Sequence, residues 1–106
     1  MAKARVRVPR KAKKGEVIEI KTLIAHPMET GYRRDVQGQL IPRHIIHTFT
    51  CTYNGEEVFR ANWHPPVAAN PYLAFYTVAT ASGRFRFEWI DDDGTVYATE
   101  ADITVE

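Results

Sequence analysis

The side chains with the most chemistry in this chain are four histidines, His26, His44, His47 and His64, and one cysteine, Cys51. Two histidines, a thiolate and a methionine would suit a copper centre on a β-sandwich. Such sites gather Cys, His and Met close together in sequence, and no His or Met follows Cys51 within ten residues. His44 and His47 are three apart, a spacing that shares a face on a helix but not on a strand. A single cysteine excludes an internal disulfide and any multi-thiolate metal site. A reactive thiol needs exposure and a nearby cation. Cys51 instead lies between two threonines, on a strand pattern shared with Phe49 and Tyr53, and reads as a small buried hydrophobe. These residues predict no metal and no cofactor.

The carboxylates are equally unproductive. Asp91-Asp92-Asp93-Gly94 resembles the start of a calcium loop, but the position that requires glycine holds Val96. The segment reads as a solvated hairpin turn centred on Asp-Gly. Glu56 and Glu57 are adjacent, so on a strand they face opposite ways and form no acid–base pair. The chain lacks a nucleophile elbow, a phosphate-binding glycine loop and a Cys-x-x-Cys. No active site assembles, and the chain is expected not to be an enzyme. Two irregular segments are more suggestive. Pro27, Met28 and Glu29 lie in the first, and Trp63, His64, Asn70, Pro71 and Tyr72 in the second. Rigid aromatics and methionine on proline-set loops suit a protein interface, because they bury much area at small entropic cost. A second reading, in which Trp63 and Tyr72 cap the end of the fold, suits the pattern equally well.

The elements that must position these residues follow from a period of two along the chain. Ala4, Val6 and Val8 alternate with Lys3, Arg5 and Arg7 until Pro9 ends the strand. Ile18, Ile20 and Ile24 mark a second strand. Residues 25–43 form a long polar stretch, of the kind that is usually functional or mobile. A third strand over His44–Tyr53 places Ile45, His47, Phe49, Cys51 and Tyr53 on one face. Asn54-Gly55 supplies the two positive-φ residues of a tight turn into Glu56–Asn62. After the proline-rich segment 63–72 come strands over Leu73–Thr80, Arg84–Asp91 and Val96–Val105, joined at Ser82-Gly83 and Asp93-Gly94. Seven strands without a helix predict a single all-β domain over 1–106, an immunoglobulin-like β-sandwich of about seven antiparallel strands.

Charge and composition exclude some functions. No apolar run is long enough to cross a membrane as a helix. Residues 1–14 carry seven Lys or Arg and no acid, while from Glu88 onward there are seven acids and no Lys or Arg. A basic end raises nucleic-acid binding, yet these cations lie on a strand pattern. The two ends are expected to neutralise one another side by side in a sheet. The basic start has no apolar segment behind it, so no export signal is expected in the chain itself.

At the irregular segments the chain becomes recognisable. Lys3-Ala4-Arg5-Val6, Lys14 through Ile24 and His26-Pro27-Met28-Glu29-Thr30-Gly31 resemble the SoxZ family. So do Phe49 through Gly55, Ala69-Asn70-Pro71-Tyr72 and Trp89 through Gly94, in collinear order along the whole chain. The resemblance implies a non-catalytic subunit of a sulfur-carrier complex that serves thiosulfate oxidation. Its partner would be a SoxY-like protein, whose C-terminal cysteine arm carries the sulfur intermediates. This chain ends Ile103-Thr104-Val105-Glu106, without glycine or cysteine, so Cys51 is not expected to inherit the carrier role. The resemblance further implies transient contact with other sulfur-oxidation enzymes and a periplasmic location, reached by export together with the partner. It implies no nucleic-acid or membrane partner. A homodimer in isolation remains open, as does a self-associating structural sandwich without a sulfur-oxidation role.

Overall fold

A computed structural model describes residues 3–26, 28, 32, 34–63 and 70–106. Its strands are β1 (Lys3–Arg7), β2 (Lys11–Ala12), β3 (Val17–Ala25), β4 (Ile46–Tyr53), β5 (Glu56–Asn62), β6 (Tyr72–Val78), β7 (Gly83–Asp91) and β8 (Val96–Val105). They form a three-stranded sheet in the order β1-β3-β6 and a five-stranded sheet in the order β2-β8-β7-β4-β5. The architecture is the expected all-β sandwich. The strand that the alternation did not predict is β2, two residues long, which pairs parallel with β8. Two residues are too few to show a period.

The core forms where the apolar faces of the two sheets meet. Phe85, Phe87 and Trp89 alternate inward along β7, while Arg84, Arg86 and Glu88 turn outward. Phe49 of β4 sits among five aromatic rings and lies 5.1 Å from Trp89 between centroids. Phe59 of β5 stacks on Phe75 of β6 at 4.3 Å, tying the two sheets together along one side. Truncating a ring such as Phe49 to alanine would cost about 3–5 kcal/mol.

Two local features depart from simple alternation. The register between β4 and β7 shifts between Ile46 and Thr48. This bulge brings Ile46 into the core along with Phe49 and leaves His47 half-buried, so His47 does not share the inward face of Phe49. At the Asn54-Gly55 turn both residues have positive φ, 51° and 84°, as an Asn-Gly hairpin requires. The Asn54 carboxamide then reaches across to β7, where its Oδ1 accepts the Arg84 N–H at 3.0 Å. A Cβ on Gly83 would overlap that carboxamide, which is why glycine stands there.

The charged ends meet only in part. Lys11 pairs with Glu106 at 3.3 Å, and the Lys14 N–H donates to the Glu106 carbonyl. The acids of β8 turn instead to β7, with Asp102 on Arg84 and Glu100 near both Arg84 and Arg86. Among the described residues Lys3, Arg5 and Arg7 have no acidic partner.

Candidate functional site

The outer face of the three-stranded sheet is where the chain leaves apolar surface in water. The β3–β6 register sets Val17 opposite Val78, Glu19 opposite Tyr76, Lys21 opposite Ala74 and Leu23 opposite Tyr72. Since Ile18, Ile20, Thr22 and Ile24 point into the core, these residues point out. Val17 is 63% exposed, Tyr72 60% and Tyr76 67%, with Val78 at 44% and Leu23 at 39%. These five side chains expose on the order of 500 Å², as large as the biggest apolar patch on a typical monomer and often functional. Within the patch, Tyr76 donates to Glu19 at 3.1 Å, and Lys21 lies 3.6 Å from the same carboxylate. Beside it run Lys3, Arg5 and Arg7 of β1. A shallow cavity of about 310 Å³ joins the two zones, lined by Arg5, Arg7, Lys21, Leu23 and Tyr72. Tyrosine and aliphatic residues at the centre with arginine at the margin is the composition of a protein interface.

A second constellation closes one end of the sandwich. Asp91, the last residue of β7, is fully buried. Its Oδ2 accepts the Tyr97 hydroxyl at 2.7 Å and lies 3.0 Å from Nε2 of His44. Its Oδ1 accepts the backbone N–H groups of Asp93 and Thr95. Four donors satisfy a buried carboxylate that would otherwise be costly. The hydrogen bond to Asp91 pushes the Tyr97 hydroxyl up to about 12. His26 is buried beside them, its Nε2 3.8 Å from Asp91 Oδ2, and its ring meets His44 edge-on at 5.2 Å. Burial, and next the neighbouring His44, holds the His26 imidazole below its ordinary value, against an opposing pull from Asp91.

His26, His44 and Asp91 place their ligand atoms within 4.8 Å of one another, close enough to raise a metal site. The hydrogen bonds argue otherwise. His26 Nδ1 accepts the Met28 N–H at 3.0 Å, so the neutral ring carries its proton on Nε2, the nitrogen that faces Asp91. A metal there would have to displace that proton, whereas a histidine ligand normally donates from its other nitrogen. With both Asp91 oxygens already occupied, the cluster acts as a hydrogen-bonded lock between the start of the first long loop, β7 and β8.

The residues singled out in the irregular segments fall in different places. Pro27, Glu29 and His64 lie outside the described residues. Met28 is buried with a positive φ of 52°, and its Sδ accepts the Ile46 N–H at 3.4 Å. Asn70 clamps the two loops: its N–H donates to the His26 carbonyl at 2.8 Å and its Oδ1 accepts the His26 N–H at 2.9 Å. Pro71 is buried, Trp63 is half-buried and stacked on Phe49, and Tyr72 opens onto the apolar face. Cys51 is fully buried, and burial pushes its thiol up to about 12.

The reading of Asp91 as part of a solvated turn is corrected by its burial. Parity was the available signal, because Asp91 continues the inward series Phe85, Phe87 and Trp89. The exposed tyrosines were equally legible: Tyr72 and Tyr76 share the parity opposite to buried Phe75, once that strand is known to cover the core on one face only.

Comparison with known proteins adds a family and a fold. The family model described as sulphur oxidation protein SoxZ matches residues 6–102. No curated protein sequence matches the chain. Among solved structures, superoxide reductase (neelaredoxin) from Ignicoccus hospitalis is similar with a TM-score of 0.75 at 17% identity, over 97% of this chain and 80% of that one. The sulfur carrier protein SoxY from Chlorobium limicola f thiosulfatophilum is similar with a TM-score of 0.67 at 9% identity, over 97% of this chain and 78% of that one. At these identities the likeness is one of fold.

Proposed function

The chain belongs to the SoxZ family, and from that premise we propose that it is the non-catalytic subunit of a heteromeric sulfur-carrier complex, docking a SoxY-type partner. The partner's C-terminal cysteine arm carries the sulfur intermediates of thiosulfate oxidation, and this chain holds the partner on a rigid sandwich. The family match over residues 6–102 carries the reading. The surface chemistry supports it: Tyr72, Tyr76, Val17, Val78 and Leu23 offer an apolar face, and Lys3, Arg5 and Arg7 offer a cationic margin that can steer an acidic surface. Carrying sulfur on Cys51 is disfavoured, because its thiolate is suppressed and no arm or loop exposes it. The same reading places the complex in the periplasm, in passing contact with the enzymes that load and unload the arm.

The test is co-purification from the native host after gentle periplasmic fractionation. This chain is expected to emerge in stoichiometric amounts with a partner that ends in a glycine-flanked cysteine. Recovery of the chain alone, from the cytoplasmic fraction, would remove both the partner and the location.

A further inference from the structure

The two sheets end in four edge strands, β1 and β6 on one sheet and β2 and β5 on the other. An exposed edge is a row of unpaired N–H and C=O groups, and proteins blunt it with charge, bulges, proline or shortness. Three of these edges are blunted. β1 carries Lys3, Arg5 and Arg7 and is followed by Pro9. β2 is two residues long. β5 carries Glu56, Glu57 and Arg60, and its register slips so that Val58 is left unpaired.

β6 carries none of these devices within its own length, Pro71 standing just before it. Its sequence, Tyr72-Leu73-Ala74-Phe75-Tyr76-Thr77-Val78, contains no charge and no proline, and it pairs with β3 in unbroken register. The Ile24 N–H donates to the Pro71 carbonyl, and at the other end the Ala79 N–H donates to the Glu16 carbonyl. These two bonds fix the alternation of the ladder. Leu73, Phe75 and Thr77 exchange their bonds with β3, so Tyr72, Ala74, Tyr76 and Val78 present theirs to the open side. Among the described residues no strand takes them up. Alongside runs a groove of about 510 Å³ between this edge and β5, lined by Tyr53, Glu56, Val58, Thr77, Val78 and Thr80.

We propose that β6 is a strand-addition site: an extended, uncharged segment of the partner hydrogen-bonds to it as the fourth strand of the sheet. Its side chains on one side enter the groove against Val58, and those on the other extend the tyrosine face. The assignment rests on the docking of a SoxY-type partner proposed above. Two observations favour that occupant. The exposed patch on β3 and β6 is more than half of the ~800 Å² that each member of a standard interface buries. The SoxY fold is also this same sandwich, so it has sheet edges of its own to offer, and two like sheets can merge edge to edge. Backbone bonds then give affinity, and the alternate side chains of β6 give specificity.

Amide hydrogen exchange on the chain, alone and in complex, tests the proposal. The N–H groups of Ala74, Tyr76 and Val78 are expected to exchange freely in the isolated chain. They should slow at least tenfold in the complex, with those of β1, the opposite edge of the sheet, unchanged. Ala74→Pro removes one outward donor without touching a β3 bond and is expected to weaken the complex at least tenfold with the circular dichroism retained. If that variant does not fold, the exchange pattern of the unmodified chain decides alone. A complex that forms with these amides still exchanging freely overturns strand addition and leaves docking intact. Protection that grows with the chain's own concentration, without partner, gives the edge to a second copy and also overturns the assignment. No complex at micromolar concentrations defeats the docking reading itself.

Discussion

Cys51 on β4 and His26, just past the end of β3, are both buried. Each burial has a consequence that can be measured. The Cys51 thiol, raised to about 12 by burial, is expected to resist a thiol reagent in the native chain and to react once per chain in denaturant. Rapid native reaction would show an exposed thiolate and reopen Cys51 as a carrier. Among the described residues His26 carries the pH dependence just below neutrality. Its unfolded ring takes up a proton near about pH 6.5, whereas the folded ring, held down chiefly by burial and by His44, takes it up at lower pH. Between those values the unfolded chain binds more protons, so stability rises with pH there and is lost as pH falls through the window. Asp91 and Asp93 oppose the shift without reversing its direction. Asp92, held down to about 2 by Arg43, titrates well below it. The urea midpoint is therefore expected to drop from neutral pH toward mild acid, and His26→Gln to flatten that slope. A midpoint that climbs on acidification across this range would contradict the buried neutral imidazole.

At the scale of elements, the tight turns are fixed by side chains that reach across them. The Asn54 carboxamide accepts from Arg84 and donates to the Ser82 carbonyl at 3.4 Å, so the β4–β5 hairpin is fastened to the start of β7 through a space that only glycine leaves open. Gly83→Ala is expected to lower stability by about 1–3 kcal/mol through overpacking, read as a fall in melting temperature. An unchanged melting temperature would mean that Asn54 moves aside without cost. Much of this was legible beforehand. Period-two alternation marked seven strands, Asn54-Gly55 announced its turn, and β-branched and aromatic residues announced the sandwich. What escaped has physical reasons. β2 is held by the neighbouring β8 and by Lys11 on Glu106, contacts that a local pattern does not contain. A bulge near His47 shifts the inward parity by one residue, and bulges leave no composition signal. The lock of His26, His44, Asp91 and Tyr97 joins residues up to 71 apart in sequence, so no spacing rule could collect it. Met28 and Asn70 read as interface residues by type, and in the fold Met28 buries its sulfur while Asn70 clamps two loops.

At the scale of the molecule, the sandwich divides its duties between faces. The outer face of β7 and β8 is laced with opposite charges, Arg84 and Arg86 against Glu100 and Asp102, and is suited to water. The outer face of β3 and β6 exposes tyrosine, valine and leucine beside cations of β1 that have no acidic partner among the described residues, the composition of an interface. One end is locked by the Asp91 cluster, which holds the first long loop to the end of β7. A fold shared with a superoxide reductase and with a sulfur carrier supports several chemistries, so function is decided by what each surface offers. Here the proposed docking rests on the outer face of β3 and β6. The most direct measurement is a sedimentation titration of the purified chain with a purified SoxY-type carrier at micromolar concentrations. A single heteromeric species that saturates at a fixed ratio, and that Tyr76→Glu weakens at least tenfold, is the predicted result. Two species sedimenting independently at every ratio would contradict it.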